Sequence, residues 1–200
     1  MAEEALEMFC PTSRQHWRTW LQEHHRQQQS VWLVYHKKNS ATPTLTWSEA
    51  VDEALCFGWI DSLAKPIDNE RYRQFFSRRK PKSGWSRVNK EKIQRLIAEG
   101  QMTQAGFDSI ETAKQNGAWT LLDDVEALII PEDLEQELQK RPDARSYFLA
   151  LSKTDKRNML QWLVLAKRPT TRQNRIAAIV DLADKQLKPT LFSGPKRLQP

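Results

Sequence analysis

The heptapeptide Ser30 to His36, SVWLVYH, carries apolar or aromatic side chains on both of its alternating faces, the pattern of a strand covered from two sides. A chain built around it must supply further strands to pair with it and helices to cover it. Two more segments read as strands, Trp59 to Ala64 and Arg71 to Arg78, and Pro66 to Glu70 between them supplies the turn residues of a hairpin. Alternation in the first of these places Trp59, Asp61 and Leu63 on one face.

Helices are marked by caps and stripes. Thr12 with Gln15 has capping-box form ahead of Trp17, Trp20, Leu21 and His24, which predicts a helix over about 13–28. Thr46 and Glu49 form a second box before the stripe Trp47, Ala50, Val51, Ala54 and Leu55, which stops at Gly58. Ser86 caps a helix bearing Ile93, Leu96 and Ile97, and Thr103 to Asn116 repeats the device with Phe107 and Ile110 inward. Beyond the link Leu128 to Pro131 the pattern is helical only: about 132–140, about 143–166 with a break near Ser152, and about 171–187, where Ile176, Ile179, Val180 and Ala183 form one face. The expected fold is α+β: a small antiparallel sheet of about three strands packed with helices, followed by a helical C-terminal third. The expected divisions are an α+β region over 1–127, a helical region over 128–187 and a flexible tail over 188–200.

Eight tryptophans and 39% apolar residues in 200 positions provide a core and exclude disorder throughout. The longest apolar runs, such as Leu163 to Ala166, fall far short of the roughly 20 residues a membrane-spanning helix needs. The acidic start (Glu3, Glu4, Glu7) lacks the pattern of a secretory signal, so the expected location is cytoplasmic. Cys10 and Cys56 read as two free thiols, the second buried and inert. The four histidines show no ligand spacing, and neither metal nor cofactor is expected.

The modest net charge of +6 conceals a strong segregation. Residues 71–95 hold ten basic side chains against Glu91 alone, residues 101–152 are net −6, and residues 153–175 are net +6. Clustered Lys and Arg raise the local concentration of anions. Arg78, Arg79, Lys80 and Lys82 lead through Ser83, Gly84 and Trp85 into the helix capped by Ser86, combining full charges with a helix N-terminus. Trp85 is placed to stack on a ring. Asp61, between apolar neighbours, calls for a partner, and Arg73 or Arg78 of the adjacent strand is the expected one. The expected ligand-binding set is therefore Trp59, Asp61, Arg73, Arg78, Arg79, Lys80, Trp85 and Ser86, with no catalytic residue named. A second basic group, Arg168 to Arg175, reads as a capping and surface feature.

Three phrases, ALCFGWIDS (Ala54 to Ser62), FFSRRKPKSGWSRVN (Phe75 to Asn89) and AKRPTTRQNRI (Ala166 to Ile176), resemble the bacterial YdeI or OmpD-associated family, also labelled bacteriocin-protection proteins. The spacing between them fits, including EGQMTQAG after the second, and the resemblance spans about 14–187. Where the family often reads F-x-P-R, this chain has Phe76-Ser77-Arg78-Arg79. The resemblance implies a cytosolic protein linked to bacteriocin or stress protection and brings no cofactor or catalytic residue. The residues add a small phosphate-bearing anion as ligand. Two alternatives stand beside it. Arginines interleaved with Tyr72, Phe75, Phe76 and Trp85 suit single-stranded nucleic acid, and Asp61 with Arg78 and Trp85 suits a small enzyme if a pocket encloses them.

Overall fold

The computed structural model describes residues 7–37 and 45–189. They form an α+β protein in two units, one ending at Trp119 and the other beginning at Thr120.

In the first unit the sheet has four strands: β1 (Met8–Phe9), β2 (Ser30–His36), β3 (Trp59–Pro66) and β4 (Arg71–Arg78), in the order β1-β2-β4-β3. The strand not foreseen is β1, which pairs parallel with β2 through Met8 opposite Trp32 and Phe9 opposite Leu33. Two residues are too few to carry any periodicity. The other three strands are antiparallel neighbours, as the hairpin reading requires. An irregularity between Asp61 and Ala64 sets three residue steps of β3 against two of β4. Trp59 and Asp61 keep a common face, while Ala64 rather than Leu63 continues it, opposite Gln74.

Four helices accompany the sheet: α1 (Arg14–His24), α2 (Trp47–Cys56), α3 (Arg87–Ala98) and α4 (Gln104–Gln115). The cap of α1 is Ser13 rather than Thr12, its side chain accepting from His16 N, and the helix ends four residues short of the expected limit. The Thr46–Glu49 box of α2 is formed in both directions. Trp17 and Trp20 of α1 stack on each other, with centroids 5.2 Å apart, and Trp17 meets Phe76 edge-on. On the other side of the sheet Trp32 meets Phe75 edge-on and lies beneath the Arg73 guanidinium, 4.5 Å from its centroid. That is how β2 comes to be buried on both faces.

The stripe of α2 contains two acids that apolar periodicity does not explain, Asp52 and Glu53, both buried. Glu53 accepts from Arg14 at 2.5 Å and Arg18 at 2.6 Å, tying α2 to α1. Asp52 takes Lys92 at 2.6 Å and Arg95 at 2.5 Å, tying α2 to α3. Each buried carboxylate is thus neutralised by two cations, the condition under which such burial is tolerable.

The second unit, as described, is helical: α5 (Asp123–Glu126), α6 (Glu132–Gln139), α7 (Pro142–Ala150), α8 (Lys153–Val164) and α9 (Pro169–Asp184). The break expected near Ser152 is real, and Ser152 caps α8 by accepting from Asp155 N. Ile176, Ile179, Val180 and Ala183 are buried in one core with Leu134, Leu138 and Phe148. The tail expected to be flexible lies, from residue 190 on, outside the described residues. Among the described residues no helix is long and apolar enough to cross a membrane.

Candidate functional site

The first unit contains a cavity of about 520 Å³. Its walls come from the chain after α1 (His25, Arg26), the turn from α2 into β3 (Phe57 to Trp59), the end of β4 with the loop leading to α3 (Arg78 to Pro81, Trp85), and one face of α4. That face is Ala105, Asp108, Ser109 and Thr112, an i, i+3, i+4, i+7 set.

Two glycines bring α4 to this position. At Gly58 φ is +71°, which lets α2 end and the chain reverse into β3, and a Cβ there would lie 2.9 Å from Ala105 O. A Cβ on Gly106 would lie 2.5 Å from Cys56 O. That same carbonyl accepts from Thr103 Oγ1 at 2.6 Å and from Thr103 N at 3.2 Å, so the start of α4 is fastened to the end of α2. Thr103 therefore spends its hydroxyl between helices and makes no side-chain cap. Phe107, expected inward, is exposed, because Gly106 rather than Phe107 meets α2.

Part of the basic segment is paired with acids and part is not. Arg71 pairs with Asp68, Arg87 with Glu91, and Lys92 and Arg95 with Asp52. Arg78, Arg79 and Lys80 stand within 4 Å of no carboxylate among the described residues, and all three line the cavity. Arg78 Nε donates to His25 O at 2.8 Å, leaving Nη2 buried without a partner. Arg79 lies over Trp85, 3.5 Å from its centroid, and donates through Nη2 to Gly84 O at 2.8 Å. Its Nε and Nη1 are buried and unpaired, as is Trp59 Nε1. Burial pushes the Arg79 pKa down to about 10, with the Asp61 carboxylate acting in the opposite sense. Arg79 is still charged at neutral pH, and among the described residues its charge has no direct counter-ion there.

Of the eight expected site residues, the cavity collects Trp59, Arg78, Arg79, Lys80 and Trp85. Trp85 is buried with Arg79 on its face, so it holds the guanidinium instead of offering a surface to a ligand ring. Ser86 caps α3 through Asn89 N at 3.3 Å and is not among the lining residues. Asp61 lies on the inner face of the sheet, opposite Phe76, where its Oδ2 accepts from Trp47 Nε1 and Gln74 Nε2, each at 3.0 Å. Arg73 cannot be its partner, since strand alternation sends it to the outer face over Trp32. Arg78 shares the inner face but bonds to His25 O. His25, Arg26 and the α4 stripe were not foreseen. The stripe was open to detection as helical spacing of small and polar residues, the inverse of the apolar pattern that marks a core face.

Cys56 is buried at the end of α2, and desolvation pushes its thiol up to about 11. A thiol so protonated is a poor nucleophile. Native protein treated with iodoacetamide near neutral pH is expected to take one label, on exposed Cys10, and a second only after unfolding, as read by mass spectrometry of the intact chain. Rapid double labelling would show that Cys56 is reactive after all. Among the described residues no group of three or more His, Cys, Asp or Glu is placed to hold a metal ion.

In the second unit the Arg168 to Arg175 segment is engaged internally. Arg172 grips Asp133 with two bonds, at 2.5 and 2.8 Å, and Arg175 bonds to Trp162 O while lying 4.8 Å over that ring. The sequence profile of a domain of unknown function (DUF8412) matches residues 9–109, and that of the bacteriocin-protection, YdeI or OmpD-associated family matches residues 127–186. No curated protein and no solved structure matches the chain.

Proposed function

We propose that this chain, which belongs to the DUF8412 family over its first half and to the bacteriocin-protection, YdeI or OmpD-associated family through its helical unit, binds a small phosphate-bearing anion in the cavity beside Arg78, Arg79 and Lys80. The observation that carries this reading is the pair of adjacent guanidiniums that line the cavity with no carboxylate partner among the described residues and with buried N–H groups unused. A buried charge without a counter-ion is unfavourable, and an anion entering the cavity would relieve it. The unused nitrogens have almost no exposed surface, so binding in this reading includes a shift of the guanidiniums toward the cavity. In this reading the chain is a cytosolic binding protein, and any part it plays in bacteriocin or stress protection is exerted through that ligand.

The test is a calorimetric titration of inorganic phosphate and of a short single-stranded oligonucleotide, at about 50 and about 200 mM salt, into wild type and Arg78→Ala/Arg79→Ala. A compact site contacting one phosphate group is expected to lose less than about tenfold in affinity over that range, whereas a single strand contacting six or more would lose about 300-fold or more. The double variant should not bind. If only the oligonucleotide binds, with the steep slope, the basic segment is a nucleic-acid surface. Should the double variant bind phosphate as wild type does, the cavity reading is wrong.

A further inference from the structure

The cavity has chemically different walls. Arg78, Arg79 and Lys80 form one, and the α4 face with Asp108, Ser109 and Thr112 forms another. Its volume of about 520 Å³ lies in the range of sites for small organic molecules, roughly 300–1,000 Å³, and far exceeds what one phosphate group fills. It has room for an occupant with a body beyond its anion.

The surrounding groups determine what that body must offer. Asp108 Oδ1 accepts from Gln104 Nε2 at 2.7 Å, which leaves Oδ2 as an acceptor. Thr112 donates its hydroxyl proton to Asp108 O at 2.8 Å and keeps its lone pairs. His25 Nδ1 lies 2.8 Å from Leu21 O, and a carbonyl only accepts, so in the neutral ring Nε2 is the remaining acceptor. Acceptors on the α4 wall and on His25 thus remain for the rest of the ligand, and they call for donors. The donors are hydroxyls rather than an ammonium, because Arg26, Arg78, Arg79 and Lys80 outnumber Asp108 and would repel a cation. Two guanidiniums and a lysine suit the nearly doubly charged phosphate monoester better than a singly charged carboxylate.

We infer that the ligand is a phosphate monoester on a hydroxyl-rich carbon skeleton, such as a sugar phosphate, with the ester held by Arg78 and Arg79 and the hydroxyls by Asp108, Thr112 and His25. This rests on the anion site proposed above. Asp108 then acts as a specificity group, because it repels a bare anion and rewards one that carries hydroxyls.

The experiment compares inorganic phosphate, ribose and ribose 5-phosphate by calorimetry on wild type, Asp108→Ala, Thr112→Val and Arg79→Met. Wild type is expected to bind ribose 5-phosphate about tenfold more tightly than phosphate, from hydrogen bonds to a charged acceptor, with free ribose too weak to measure. Asp108→Ala should lose that preference while binding phosphate as well as wild type or better. Thr112→Val, which changes no charge, should weaken ribose 5-phosphate about threefold or more and leave phosphate unmoved. If wild type binds phosphate and ribose 5-phosphate alike, or Asp108→Ala keeps the preference, the hydroxyl assignment is overturned while the anion site stands. If wild type binds neither, or Arg79→Met binds phosphate normally, the anion site itself fails and the inference with it.

Discussion

Arg79→Met is expected to weaken phosphate binding by about 100-fold or more, the effect of removing a fork that makes charge-assisted bonds in a desolvated site. The same substitution is expected to leave the protein as stable as before, or more stable by about 1 kcal/mol. Methionine keeps apolar contact with Trp85 and removes the two unpaired buried N–H groups together with the buried charge. Against that gain stand the bond to Gly84 O and the cation–π contact, which the variant loses. The pKa fixes the sign with pH. Burial lowers the folded-state value to about 10, well below the ordinary guanidinium range, so folding disfavours the charged form. The penalty is fully present at every pH below about 10 and fades only as pH rises through that value, so measurements at neutral pH capture all of it. Chemical denaturation with titration of phosphate decides the matter. If affinity and stability fall together, Arg79 is a structural residue and the charge is not held for a ligand.

Gly106→Ala is expected to cost about 3 kcal/mol or more and, in a 200-residue chain, to lower Tm by on the order of 6–12 °C. At an open helical position the same change would stabilise by about 1 kcal/mol, since alanine is the better helix former, so the expected sign is opposite to propensity. A Cβ at 106 would stand 2.5 Å from Cys56 O and 2.6 Å from Met102 Cε. The methionine terminus can swing aside. The carbonyl cannot, because it holds both bonds from Thr103, and lifting α4 away would break them and open the approach of Ala105 to Gly58. Gly100→Ala is the control: with nothing within 4 Å and φ of +66°, it should cost only the left-handed penalty of about 1 kcal/mol. A Gly106→Ala protein as stable as wild type would mean that the two helices are not locked at this point. Ligand binding should fall with it, since α4 forms one wall of the cavity.

Elements specified by local chemistry were legible in the sequence. The box at Thr46 and Glu49, the cap at Ser86, the break near Ser152, the two-faced strand Ser30–His36 and the stripe through Ile176 and Val180 each depend on neighbours a few residues away. Elements that depend on distant partners were not. The two-residue β1 exists because β2 offers it an edge, Asp52 and Glu53 are buried because cations arrive from α1 and α3, and Phe107 is outward because Gly106 is where α4 is pressed on α2. The candidate site divides in the same way. Arg78, Arg79 and Lys80 stood out as charge, whereas Asp108, Thr112 and His25 reach the cavity through tertiary packing. Charge and strand adjacency assign Asp61 an arginine partner, whereas the fold gives it Trp47 and Gln74.

The strand order has a consequence for the time at which the cavity comes into being. β2 and β4 are neighbours in the sheet although α2 and β3 lie between them in the chain, while β3 and β4 form a local hairpin. Pairing β2 with β4 closes a long loop, which is slow compared with hairpin formation. The cavity lies across that late seam: His25 and Arg26 arrive with β2, and Trp59, Arg78 and Arg79 with the hairpin, joined by Arg78 N to Gln29 O and Arg78 Nε to His25 O. A molecule that fits it finds nothing to grip on a nascent chain and cannot hasten assembly. Its influence is confined to the finished fold, whose lifetime it extends by mass action once the seam has closed.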